Sequence, residues 1–426
     1  MQGKDFVPIL PSVRQNQNKF HHHDLLLVET FVAKRIASLV CMTPDEWTIQ
    51  HSKAYDAALD ELPYDLTDKQ KDAVRTCLYS NVSLITGGAG TGKTTVTRTV
   101  LRAYNELGFK ITAVALSGRA AMRLHESISY PTSTIAKFLG QDQLDDYDLD
   151  DNEVRHILVI DEASMVDIAS MFRIVEHITP NCRLLFVGDP HQLPPIGAGL
   201  VLSDLDKIDA IEKTHLDIVK RQEASSGIPE YSITIRNGEV PKELTTGAIE
   251  FHDSNTNQTA IDLYCNDPEN SMIIAATNTT VNNLNDDIQK ELNPDSPEMS
   301  FQDANQKWYK YNFRVDDPIL FTKNNYDAGF QNGSLGILIC NTQNKSEGSL
   351  GKVRLFDSGE EVTITYDVLD SMQLGYAITL HKAQGSQFKN VITVLDKCPM
   401  VDRSWLYTAV TRSEDKLHIV GTEERF

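Results

Sequence analysis

No apolar run in this 426-residue chain approaches the ~20 residues needed to cross a bilayer; among the longest is Met272 to Ala276, so no transmembrane helix and no membrane partner are expected. The opening Met1-Gln2-Gly3-Lys4-Asp5 is not followed by the apolar stretch of a signal peptide, and secretion is not expected either. Cysteine is scarce and scattered. The six thiols, at positions 41, 77, 182, 265, 340 and 398, make no CxxC pair, which excludes a cysteine zinc ribbon and a disulfide-stapled scaffold. A reduced, cytoplasmic setting is the expectation. Basic charge is in deficit as well. With 40 Lys and Arg against 60 Asp and Glu the net charge is −20, which excludes a protein that coats polyanions with its whole surface. A nucleic acid must then be held in a local groove.

What is present is ordinary for a folded protein, 41% apolar and 23% charged, and the length predicts two or three units. From Ser83 onward, short apolar strands alternate with amphipathic helices: Leu84-Ile85, Thr112 to Leu116, Ile157 to Ile160 and Leu184 to Val187. A second series holds Met272 to Ala275, Val391 to Val394 and Leu417 to Val420. Strands this apolar are buried on both faces, which predicts two α/β units with parallel sheets. Between Gln306 and Asp367, strand-like segments separated by Asn, Gly and Ser turns predict a small antiparallel β insertion. Ahead of the first unit, Leu25, Val28, Val32, Ile36 and Leu39 recur at helical spacing. Seven carboxylates between Asp142 and Glu153 do not form an EF-hand, because Asp151 stands where its glycine belongs; they read as a solvated acidic loop.

Gly87-Gly88-Ala89-Gly90-Thr91-Gly92-Lys93-Thr94 fits GxxxxGK[ST] and lies between a strand and a helix, as a phosphate-binding loop must. Its glycines let backbone N–H groups converge on phosphate oxygens, Lys93 supplies a point charge, the Thr94 hydroxyl suits Mg²⁺, and Thr95 counts with the loop among the nucleotide-binding residues. The apolar run Ile157 to Ile160 ends in Asp161-Glu162, which sets Asp161 at a strand end as a second metal-side ligand and Glu162 as base for water. Alone, such an acidic pair serves equally well as a helix cap. After Leu184 to Val187 comes Gly188-Asp189-Pro190-His191-Gln192, where Gln192 offers an amide to sense the γ-phosphate and water; the prolines alone read as a turn.

In order along the chain stand DLTDKQ (65–70), GGAGTGKT (87–94), LSGRAA (116–121), DEAS (161–164), GDPHQLPPI (188–196), KRQ (220–222), YAITLHKAQGS (376–386) and YTAVTR (407–412). This series resembles the RecD-like branch of superfamily 1 helicases, from about residue 20 to the C-terminus. The resemblance implies two RecA-like parallel-sheet motor domains with ATP between them, an SH3-like β insertion and an N-terminal helical extension. The expected segments are 1–62 for the extension, 63–205 for motor one with a short acidic insertion near 141–153, 206–305 and 368–426 for motor two, and 306–367 for the SH3-like insertion.

The same resemblance implies that Gln70 reads adenine and that Arg221 and Arg412 reach the γ-phosphate, with ATP and Mg²⁺ as cofactors. Ser117, Arg119, Ser133, Thr134, Thr277, Asn278, Thr379, His381 and Lys382 are its expected DNA-facing residues; relatives carry His where this chain has Ala136. Such enzymes also insert a strand-separating hairpin, for which this chain offers only the acidic stretch. The implied activity is 5′-to-3′ translocation on single-stranded DNA and unwinding of tailed duplexes by a monomeric motor, in replication, recombination or repair and alongside proteins of those processes. Two other readings remain open at this point: an RNA helicase or remodeller, and a nucleotide-switched DNA-binding subunit of a larger repair complex.

Overall fold

The computed structural model describes residues 6–8, 20–43, 46–140, 155–218, 226–254, 257–302, 306–343 and 348–426. The acidic run 141–153 and the segment holding Arg221 lie outside the described residues. The chain divides into two units, Met1–Leu116 with Ala121–Ile218, and Ser117–Ala120 with Val219–Phe426.

The first unit is built on six parallel strands in the order Thr132–Thr134, Lys110–Ala115, His156–Asp161, Arg183–Gly188, Val82–Gly87 and Glu212–Leu216. Side chains alternate across such a sheet, and here both sides are covered. Ile157 and Val159 join the core under helices Asp68–Tyr79 and Lys93–Glu106, while Leu158 and Ile160 join the core under His23–Val40 and Ile168–His177. That two-sided burial is why the strands read as unbroken apolar runs. Val32, Ile36 and Leu39, one face of His23–Val40, are buried in this unit, and helix Ile49–Asp60 packs on Lys93–Glu106. The N-terminal helices are therefore packed into the first unit.

The second unit has five parallel strands in the order Ala377–Thr379, Ser271–Ala275, Phe388–Val394, Ser413–Gly421 and Ile249–Asp253. A five-stranded antiparallel sheet runs Glu361–Ile364, Gly351–Leu355, Leu335–Cys340, Pro318–Phe321, Met372–Leu374. One continuous core joins them, from Ile273, Val281 and Leu284 to Ile319, Phe321 and Val353. Asp317, fully buried, ties them further: it accepts hydrogen bonds from Gln289 Nε2 at 2.5 Å, Asn293 Nδ2 at 2.8 Å, Tyr376 Oη at 2.7 Å and the Arg314 N–H at 2.7 Å. So many donors compensate a buried carboxylate that would otherwise be costly.

Three boundaries differ from expectation. Strand Glu212–Leu216 pairs with Val82–Gly87, so the first unit runs to Ile218 and not to 205. Trp308–Arg314 pairs with Glu298–Gln302 in a separate two-stranded ribbon. The antiparallel sheet takes its last strand from Met372–Leu374, beyond 367.

Candidate nucleotide site and strand-end residues

In a parallel sheet all carboxyl ends lie on one edge, and ligands gather there. In the first unit that edge carries the glycine loop after Val82–Gly87, Asp161 after Ile160, and Asp189 to Gln192 after Arg183–Gly188. Gly90 and Gly92 have φ of +74° and +86°, and helix Lys93–Glu106 starts at Gly92 with no side-chain cap. Its first-turn N–H groups are thus presented to an anion with the positive end of the helix behind them. A Cβ on Gly87 would meet the Leu216 carbonyl oxygen at 2.5 Å and Thr91 Oγ1 at 2.7 Å, so the strand from 212 to 216 braces the loop from beneath. Lys93 Nζ donates to the Gly87 and Gly88 carbonyls at 2.7 and 2.9 Å, and Thr91 Oγ1 donates to the Gly88 carbonyl at 2.9 Å. Thr94 and Thr95 lie in the helix's first turn, and the Tyr64 hydroxyl lies 3.5 Å from Thr95 Oγ1.

Gln70 is buried under the loop. Its Oε1 accepts from the Thr67 N–H at 3.0 Å in a capping box, and its Nε2 donates to the Thr91 carbonyl at 3.2 Å. The side chain expected to read adenine thus holds the phosphate loop. Asp161 and Glu162 follow each other at the strand end, where Glu162 adopts the left-handed conformation at φ 49°. Burial, and then the Glu162 carboxylate, push the Asp161 carboxyl up to about 7 against the hydrogen bond from the Glu162 backbone and the pull of Lys93. A carboxylate held out of its preferred ionisation is a ready partner for a cation. Gln192 is buried, in a turn where its N–H donates to the Asp189 carbonyl at 3.1 Å.

The hydroxyl-bearing candidates also fall at strand ends, and several act as helix caps. Ser117 Oγ accepts from the Ala120 N–H at 3.2 Å, Thr134 Oγ1 from Lys137 N–H at 3.0 Å, and Thr277 Oγ1 from Thr280 N–H at 3.1 Å. Ser133 pairs in register with Val114, and Asn278 is exposed at the start of its helix. Arg119, buried, reaches Asp357 at 3.3 Å. Thr379 ends its strand, and Lys382 Nζ donates to Gln373 Oε1 at 2.6 Å. Burial lowers both His381 and Lys382 below their ordinary values. Arg412 is buried within the second unit; it donates to the Thr408 carbonyl at 3.2 Å and to the Ser386 carbonyl at 3.3 Å.

Asp396 escaped sequence reasoning. Its Oδ1 accepts from Thr280 Oγ1 at 3.0 Å and its Oδ2 from the Ala276 N–H at 3.3 Å, which fixes the loop carrying Thr277. The signal was available, since Val391 to Val394 runs into Leu395-Asp396 much as Ile157 to Ile160 runs into Asp161.

An AAA domain model matches residues 65–254 and a UvrD-like helicase C-terminal domain model matches 374–420. The ATP-dependent RecD2 DNA helicase of Deinococcus radiodurans is 30% identical over 374 residues, 84% of this chain and 49% of the relative. The chain therefore spans about half the length of that relative. The RecBCD enzyme subunit RecD of Haemophilus influenzae is 26% identical over 463 residues, covering 84% of this chain and 69% of the other. Among solved structures, Bacteroides Pif1 bound to single-stranded DNA superposes with a TM-score of 0.55 at 19% identity, over 84% of this chain and 92% of that one. At that identity the likeness is one of fold. Among the described residues no helix is long and apolar enough to cross a membrane.

Proposed function

We propose, from the premise that this chain is a RecD-like superfamily 1 protein, that it is an ATP-driven DNA helicase and translocates 5′ to 3′ on single-stranded DNA. The observation that carries the reading is the edge of the first sheet: an uncapped helix N-terminus with Lys93, and Asp161-Glu162 two strands away on the same edge.

The residues present fit ATP and Mg²⁺. The loop has no room for a Cβ at Gly87, its helix start is open to phosphate, and Thr94 and Asp161 are hard oxygen donors of the kind Mg²⁺ takes. Backbone N–H groups of Gly88, Ala89, Gly90, Thr91, Gly92 and Lys93 hold the phosphates, with Thr94 and Thr95 in the following turn. The metal, when bound, neutralises phosphate charge. Lys93 exchanges its two loop carbonyls for phosphate oxygens, Glu162 takes the proton of the attacking water, and Gln192 orients that water. Arg221 and Arg412 supply the further cations that the family resemblance implies.

Ser117, Arg119, Ser133, Thr134, Thr277, Asn278, Thr379, His381 and Lys382 form the proposed DNA grip. Short hydroxyl and amide side chains and a few cations hold a backbone without reading its sequence. The antiparallel sheet, in this reading, is an SH3-like cover over the DNA. The setting is cytoplasmic, the motor acts as a monomer, and its company is repair, recombination or replication proteins.

The test is phosphate release with matched DNA and RNA oligomers, followed by strand displacement on duplexes with 5′ or 3′ tails. Stimulation by DNA and displacement of the 5′-tailed duplex are expected. Stimulation by RNA alone favours the RNA remodeller, and unwinding only from 3′ tails overturns the polarity.

A further inference from the structure

Ile249–Asp253 is the edge strand of the second parallel sheet, and its neighbour is Ser413–Gly421, with Glu250 opposite His418 and His252 opposite Val420. Alternation along a strand puts Glu250 and His252 on one face, and the register sets His418 beside them. His252 Nε2 lies 3.0 Å from His418 Nδ1 and 3.7 Å from Glu250 Oε2, and His418 Nδ1 lies 3.5 Å from that same oxygen. These three atoms, two imidazole nitrogens and a carboxylate oxygen, close a triangle. The point equidistant from its corners lies about 2.0 Å from each, inside the range of Zn–N and Zn–O bonds. The other carboxylate oxygen, Oε1, is held by Lys416 Nζ at 2.8 Å, which turns Oε2 toward the rings. An outer partner that fixes a ligand's orientation is a regular part of metal sites. His418 is 8% exposed, while Glu250 and His252 are half-buried, so the outward side of the triangle stays open to water.

We propose that Glu250, His252 and His418 bind a divalent ion of the zinc class, with a fourth position open to water. Two nitrogens and one oxygen suit Zn²⁺, Co²⁺ or Ni²⁺ and do not suit Mg²⁺, which takes oxygen ligands alone. Without an ion, one facing ring nitrogen donates to the other across 3.0 Å; binding the ion displaces that proton. The ion clasps an edge strand to its neighbour across 166 residues of sequence. None of the three residues belongs to the nucleotide site or to the proposed DNA grip, so the clasp stands independently of the helicase reading. Its effect is on the stability of the second sheet, since an ion that binds only the folded chain raises the unfolding temperature.

The experiment uses the whole chain, stripped with chelator and titrated with Zn²⁺ by calorimetry, with Mg²⁺ in parallel. One equivalent of Zn²⁺ is expected, together with a raised unfolding temperature that Mg²⁺ does not reproduce. In His252→Ala and His418→Ala the affinity falls at least about a hundredfold and the thermal shift disappears. Should His418→Ala fail to fold, Glu250→Gln, on the half-buried side, must show a weakened affinity and a smaller shift. Substitution with Co²⁺ adds a readout of coordination through its visible absorption, which the His252→Ala chain must lack. Absence of a one-equivalent site in the unaltered chain overturns the proposal. So does zinc uptake that the substitutions leave unchanged, because it then sits adventitiously on the thiols or the acidic surface.

Discussion

Among the helices that start at the carboxyl ends of parallel strands, two treat their first-turn N–H groups in opposite ways. Lys93–Glu106 begins at Gly92, in a left-handed conformation and with no side chain to cap it. Asn278–Leu292 begins at Thr277, whose hydroxyl accepts from the Thr280 N–H. The carboxylates nearby differ in the same sense. Asp396 accepts from Thr280 Oγ1 and the Ala276 N–H, whereas Asp161 sits half-buried beside Glu162 and is driven toward its protonated form. The helix start at Thr277 satisfies its own polar groups; the one at Gly92 holds them in an arrangement that an anion and a cation would complete. The α/β frame is common to both units, and in the proposed reading the residues at the helix start decide which of them takes nucleotide.

The contrast can be broken most severely at Lys93. Lys93→Ala is expected to lower ATP turnover at least about a hundredfold, with the unfolding temperature within a few degrees of the parent. A chain that keeps its turnover would place the chemistry elsewhere. Thr379→Ala combined with Lys382→Ala is expected to reduce DNA stimulation several-fold while basal hydrolysis stays near its original rate, as measured by steady-state phosphate release. Equal loss of both would tie these residues to the nucleotide instead.

A third change addresses the strained carboxylate. Asp161 has a folded-state pKa raised above its unfolded one, so as pH rises the unfolded chain releases the proton first. The nucleotide-free fold is therefore penalised progressively from about pH 4, and the penalty is complete only above the raised value. Asp161→Asn should raise the unfolding temperature at pH 8 by a few degrees, lose that advantage near pH 4, and abolish turnover. No stabilisation at pH 8 would mean that the carboxylate pair carries no strain. The smallest effect is expected at Thr277→Ala: about 1 kcal/mol of stability for the lost cap, read by denaturant unfolding, with nucleotide affinity unchanged.

Much of the first unit was legible because its strands are buried on both sides. Leu84, Ile85, Leu158 and Val159 announce themselves as apolar runs, and the glycine loop and Asp161-Glu162 sit where those runs stop. Glu212–Leu216 was not legible, because an edge strand reading Glu-Lys-Thr-His-Leu has no apolar run to show. The three-residue strands Thr132–Thr134, Ala377–Thr379 and Met372–Leu374 are too short to display a period. At Gln70, the spacing from Thr67 contained the capping box that the structure displays, yet the residue was read only for adenine. The Glu250, His252 and His418 triangle was out of reach, since only the register of two parallel strands unites residues so distant in sequence.

The most direct test is displacement of streptavidin from single-stranded DNA biotinylated at one end, because it reports movement without requiring strand separation. A motor fuelled at the Lys93 loop and moving 5′ to 3′ strips streptavidin from the 3′ end when ATP is present and leaves the 5′ end occupied. ATP turnover with no displacement from either end would contradict coupled movement, and displacement from the 5′ end alone would reverse its direction.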